Sequence, residues 1–119
     1  MSVPPSPIQA LAQRQLDAYN RGDLDAFCAC YHPQVQVLEA DGSVDIEGME
    51  DFRPRYAGLW TDYREVKASV PQRLAHGAHC VDLEHWSRVE AETGERQGGT
   101  VLVRYTLREG LIGTVQFLD

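Results

Sequence analysis

The sequence predicts one α+β domain. Apolar residues recur at helical spacing through the first half of the chain, and strict alternation takes over after residue 62. Short glycine-containing turns then separate the alternating runs. Helices first and sheet afterwards put the helices on one face of that sheet. A length of 119 residues fits one compact domain and leaves no room for a second.

Residues 1–7 (MSVPPSP) carry three prolines and are expected to be an irregular lead-in, with the domain occupying 8–119. Ile8, Leu11, Ala12, Gln15, Leu16 and Tyr19 form the inward stripe of a first helix. Asn20-Arg21-Gly22 ends it, glycine being suited to the left-handed stop. Asp23 caps a second helix whose inner face is Leu24 and Phe27, with Cys28 and Tyr31 extending it until Pro33 stops it. A strand, VQVLEA, follows, and Asp41-Gly42 turns it back into a short strand marked by Val44 and Ile46. Gly48 opens a third helix with Glu50 and Asp51 in its first turn, where the dipole favours acids. Pro54 falls within this helix and is expected to kink it or displace its start. Val66, Ala68 and Val70 mark the next strand. Three longer ones cover about 79–91, 98–108 and 111–119, with turns at Thr93-Gly94-Glu95 and Glu109-Gly110.

Composition excludes several functional classes. Net charge is −7 and there is no lysine or arginine run, so nucleic acid and anionic membranes are poor partners. No stretch approaches the roughly 18 to 20 apolar residues of a membrane span. The N-terminus lacks the basic start and apolar core of a signal peptide, which makes a cytoplasmic location the expectation. Cys28, Cys30 and Cys80 suit small buried thiols, and no CxxC, HxH or HExxH spacing announces a metal. Neither cofactor nor metal is expected.

Glu39 is the first candidate for chemistry. It alternates with Val35 and Val37, so the three side chains share a face, and an acid on an apolar face must be neutralised, paired or used. The alternative is that the strand twists near Ala40-Asp41-Gly42 and releases Glu39 to water. In the run 79–91, Val81, Leu83, His85, Ser87 and Val89 form the more apolar face, which is expected to meet the helices and carry His85 inward. The other face, with Glu84, Trp86 and Arg88, then points outward, where a large aromatic ringed by charges resembles an interface anchor. Val101, Val103 and Tyr105 in the next strand, and Val115 and Phe117 in the last, complete the inner surface. Such a surface describes either a pocket for a small apolar molecule or an ordinary core. Asp119 shares the parity of Phe117 and could reach the pocket mouth.

The run AYNRGDLDAFCACYHPQVQVLEADG, followed by a G-x-x-x-F helix and a meander, resembles the nuclear transport factor 2-like superfamily. Its SnoaL-like cyclase and steroid Δ5-isomerase branches are the nearest. The resemblance spans nearly the whole chain from Ile8. It implies a cone, a strongly curved mixed or antiparallel sheet wrapped against three N-terminal helices in a cystatin-like α+β barrel, commonly dimeric through the sheet's outer face. The isomerases' pattern laid on this chain puts the base at Glu39, a pocket tyrosine at Tyr56, the oxyanion tyrosine near Gln15 and the oxyanion aspartate at or beside Val101. Both oxyanion donors are therefore missing, and losing one such donor typically costs about two to three orders of magnitude in rate. A true steroid isomerase is argued against.

Three readings remain. The chain could catalyse proton abstraction, isomerisation or dehydration on a small apolar carbonyl compound, with Glu39 as base and His85 and Tyr56 assisting. Gln15, Tyr19, Trp60, Val101, Val103, Tyr105 and Phe117 would bind the substrate. It could instead hold an apolar ligand without turnover, or be a structural homodimer with its cavity plugged by Phe117, Trp60 and Tyr105. Fold analogy does not choose among them.

Overall fold

A computed structural model describes residues 4–119. Helix α1 spans Pro7–Arg21, one residue earlier than expected, because the Ser6 side chain accepts a hydrogen bond from the Gln9 amide and caps the first turn. Residues 1–3 of the expected lead-in lie outside the described residues. Gly22, at φ 69°, stops α1 in the left-handed region and returns its amide to Ala18 and Tyr19. Asp23 caps α2 (Leu24–Cys28) through Ala26. Strand β1 (Tyr31–Leu38) begins at once, so Tyr31 and Pro33 belong to the strand and α2 ends without Pro33. Strand β2 (Val44–Glu47) follows the expected turn, and α3 (Met49–Asp62) runs from Gly48 with Pro54 inside it.

Four strands complete the chain: β3 (Tyr63–His76), β4 (His79–Glu90), β5 (Arg96–Arg108) and β6 (Leu111–Phe117). They pair antiparallel in sequence, β6 pairs parallel to β1, and the sheet order is β2-β1-β6-β5-β4-β3. Helix α3 packs against β1 and β2 at one edge and against β3 at the other, so the sheet curls until both edges meet one helix. Helix α1 crosses the concave face against β3, β4, β5 and β6. An aromatic cluster closes the narrow side. Phe27 stacks on Phe52 at 5.9 Å between ring centroids and touches Tyr56 (4.9 Å) and Trp60 (5.7 Å). Around it lie Ile8, Val35, Ile112 and Val103, all effectively sealed from solvent.

Irregularities decide which side chains face inward. Pairing of β1 with β2 shifts between Val37 and Leu38, which breaks the alternation just before Glu39. Pairing of β3 with β4 shifts twice, between Arg64 and Lys67 and between Ser69 and Gln72. Val66 and Ala68 are buried before the second shift, whereas Arg73 turns inward after it. In β4 the concave face is Cys80, Asp82, Glu84, Trp86 and Arg88, the reverse of the apolar-side expectation.

Candidate functional site

The concave face encloses a cavity of about 340 Å3. Small-molecule sites usually measure about 300–1,000 Å3. Gln15 and Tyr19 reach it from α1, Tyr56 from α3, Glu84, Trp86 and Arg88 from β4, Val101 and Tyr105 from β5, and Phe117 from β6. The wall is thus mainly aromatic and aliphatic with a few polar groups.

At one end three side chains form a chain of hydrogen bonds. The Ala12 carbonyl can only accept, so the Gln15 amide nitrogen must face it, at 3.0 Å. That orientation leaves Gln15 Oε1 to accept from the Tyr31 hydroxyl (2.9 Å), while Gln15 Nε2 also donates to the Tyr105 hydroxyl oxygen (3.2 Å). Gln15 has then used both of its donors, and it acts by fixing Tyr105. The Tyr105 hydroxyl already accepts, and its own hydrogen is free to point into the cavity as a donor. Burial pushes the Tyr31 and Tyr105 phenols far above their ordinary range, with neighbouring ionisable groups, Glu84 among them, adding to it. Both hydroxyls keep their protons at any ordinary pH.

Glu84 is the cavity acid. Burial, then the negative charge of Asp82, pushes its carboxyl up to about 7. Its field also raises Tyr19, to about 12, and Tyr56, although burial is the main cause in each. Among the described residues no cation pairs with Glu84. Asp82, fully buried two residues earlier, differs. Arg73 clamps it with Nε to Oδ1 at 2.7 Å and Nη2 to Oδ2 at 2.9 Å, a bidentate pair that satisfies a buried charge.

Trp86 lies flat over the β5 backbone. A Cβ on Gly99 would stand 3.2 Å from its indole nitrogen, so any larger residue there would push the ring back by a few tenths of an ångström. Arg88 stacks on Tyr63, its guanidinium carbon 3.9 Å from the ring centroid, and lies 5.0 Å from the Trp86 ring. Asp45 and Arg55, also in the wall, pair with each other at 3.1 Å.

Several expected site residues lie elsewhere. Glu39 is exposed beyond the end of β1, where its amide and carbonyl bond Ser43 and Gly42 in the turn, and it does not line the cavity. The shift at Val37/Leu38 is the reason. His85 is exposed on the convex face between Ser69 and Thr100, because β4 turns its other side inward. Trp86, expected on the outside as an interface anchor, lines the cavity instead. Trp60 packs behind the wall against Tyr19 and Phe27, and Val103 is sealed in the core. Asp119 accepts from the Leu102 amide at 2.9 Å and stays exposed. Gln15, Tyr19, Tyr56, Val101, Tyr105 and Phe117 do line the cavity.

Sequence reasoning missed Glu84, Arg88 and the Asp45–Arg55 pair. One signal was available. Gly98-Gly99 lies one short turn across from Trp86, and paired glycines inside a strand mark a close approach by something large. Among the described residues no group of three or more His, Cys, Asp or Glu side chains is placed to hold a metal ion.

No curated protein sequence matches the chain. Solved structures match its fold closely. An uncharacterized cystatin-fold protein from Novosphingobium aromaticivorans superposes with a TM-score of 0.85 at 21% identity, covering 98% of this chain and 100% of that one. Rv0760c from Mycobacterium tuberculosis, in complex with estradiol-17β-hemisuccinate, gives 0.85 at 13% identity, covering 97% and 95%. An NTF2-like protein from Burkholderia pseudomallei gives 0.80 at 16%, covering 95% and 90%. The model of the SnoaL-like domain matches residues 12–114, and on that match over most of its length the chain belongs to the SnoaL-like domain family.

Proposed function

We propose that the protein binds a small, largely apolar carbonyl compound in the cone and that Glu84 moves a proton on it. One observation carries this reading: a carboxyl lines an aromatic-walled cavity with no cation against it among the described residues. A base working near neutral pH needs a pKa near 7, and burial beside Asp82 supplies that for Glu84. The Tyr105 hydroxyl, held by Gln15, is the donor for the substrate oxygen, where negative charge develops as a proton leaves the adjacent carbon. The base is thus assigned to Glu84 in place of Glu39, and Tyr56 contributes wall and a protonated phenol. A fold neighbour that holds a steroid hemisuccinate supports an apolar ligand of this kind. Among the described residues no helix is long and apolar enough to cross a membrane, and a cytoplasmic location is part of the proposal.

The test is exchange of the methyl protons of 2-acetonaphthone in D2O, followed by NMR. Wild-type protein should accelerate exchange, increasingly as pH rises through about 7, where Glu84 ionises. Glu84→Gln should lose at least about a hundredfold of that acceleration, within the usual range for a general base. Equal exchange by the two proteins removes the catalytic role. A second reading, binding without turnover, is favoured by one feature: no hydrogen bond among the described residues orients the Glu84 carboxyl. Binding of 2-acetonaphthone without accelerated exchange would establish it.

A further inference from the structure

Arg88 takes no part in that proton chemistry, yet it is built into the same wall. Its Nε donates to Gln97 Oε1 at 3.0 Å, and Tyr63 and Trp86 hold the guanidinium plane. None of these neighbours carries charge. Arg55 pairs with Asp45 at 3.1 Å and Arg73 with Asp82 at 2.7 Å, whereas no carboxylate pairs with Arg88 among the described residues. Acids are not scarce, at 18 against 11 lysines and arginines. Glu84 shares its face four residues along the strand, roughly 13 Å away between Cα atoms, and forms no ion pair with it among the described residues. What remains is a fixed fork of N–H donors on the side of the guanidinium away from Gln97, at the wall of an apolar cavity.

We propose that this fork holds the carboxylate of the ligand, so that the molecule bound in the cone is a small apolar monocarboxylate. The inference rests on the cavity-binding reading above and adds its substrate class. Two parallel N–H groups match the two oxygens of a planar carboxylate. A monoanion fits because Glu84 and Asp45 line the same cavity and the whole chain carries −7, which disfavours a dianionic phosphate. Trp86 and Tyr63 fix the fork before the ligand arrives, which lowers the ordering cost of binding.

The test compares 2-naphthylacetate with its neutral isostere, 2-naphthylacetamide, by calorimetry at pH 8. Wild-type protein should bind the acid about tenfold or more tightly, the scale of one charge-assisted hydrogen-bonded pair. Arg88→Gln should erase the preference, with a urea-unfolding midpoint near that of wild type reporting that the variant is folded. Arg88→Lys should retain part of it. Equal binding of acid and amide by wild-type protein, or a preference that survives in Arg88→Gln, overturns the assignment while the cavity reading stands. Failure of both probes and of 2-acetonaphthone to bind overturns the two together.

Discussion

At the scale of single residues, the cavity depends on how two neighbouring acids are treated. Asp82 is buried and clamped by Arg73; Glu84 has no partner among the described residues and rises to about 7. The sign of the stability effect follows. Folding raises the Glu84 pKa from 4.5, so between 4.5 and about 7 the folded state binds more protons than the unfolded, and stability falls as pH rises across that window. Glu84→Gln removes the burden. Its advantage over wild type in urea unfolding should grow from pH 4.5, level off above pH 7 and reach on the order of 3 kcal/mol. A difference that does not change with pH contradicts the assignment. Asp82→Ala should act oppositely, costing about 3 kcal/mol at neutral pH because Arg73 keeps a half-buried charge without its carboxylate. A loss under about 1 kcal/mol would mean that the pair is not maintained in solution.

At the scale of elements, the sequence was informative wherever a turn or cap has its own chemistry. Gly22 ends the first helix and Asp23 caps the second, and Asp41-Gly42 and Glu109-Gly110 are where the sheet reverses. It was uninformative about parity. A bulge adds one residue to one strand, and nothing in the alternation announces it, so the shift at Val37/Leu38 put Glu39 outside and that at Ser69/Gln72 brought Arg73 inside. Strand β4 failed for another reason. Reading the more apolar face as the inner one assumes a filled core, and here the inner face lines a cavity that accommodates Glu84 and Arg88, while Asp82 is buried against Arg73. The glycines opposite Trp86 test this packing. Gly98→Ala would bring a Cβ within 2.9 Å of the Trp86 carbonyl oxygen, a backbone atom that cannot retreat, and should destabilise by about 2 kcal/mol in urea unfolding. An unchanged midpoint would mean that β4 and β5 are not in this register.

At the scale of the whole molecule, the resemblance gave the cone and its curl. The composition of its two faces came only with the structure. The convex face carries a shallow groove in which Pro71, Leu74, Val81, Leu83 and Leu102 are joined by Gln72 and Arg73, with Leu74 74% exposed. Self-association through that groove is the expectation that takes the place of a Trp86-centred interface. Wild-type protein should sediment as a dimer and Leu74→Glu/Leu102→Glu as a monomer, since burying an unpaired carboxylate is unfavourable. A wild-type monomer at high concentration contradicts it.

The cone holds Glu84 away from bulk water with no cation beside it among the described residues. Titration of the Glu84 side-chain carboxyl carbon by NMR measures this directly, with Glu84→Gln identifying the resonance. The midpoint should fall near 7; a midpoint near 4.5 would show a solvated acid and contradict the claim.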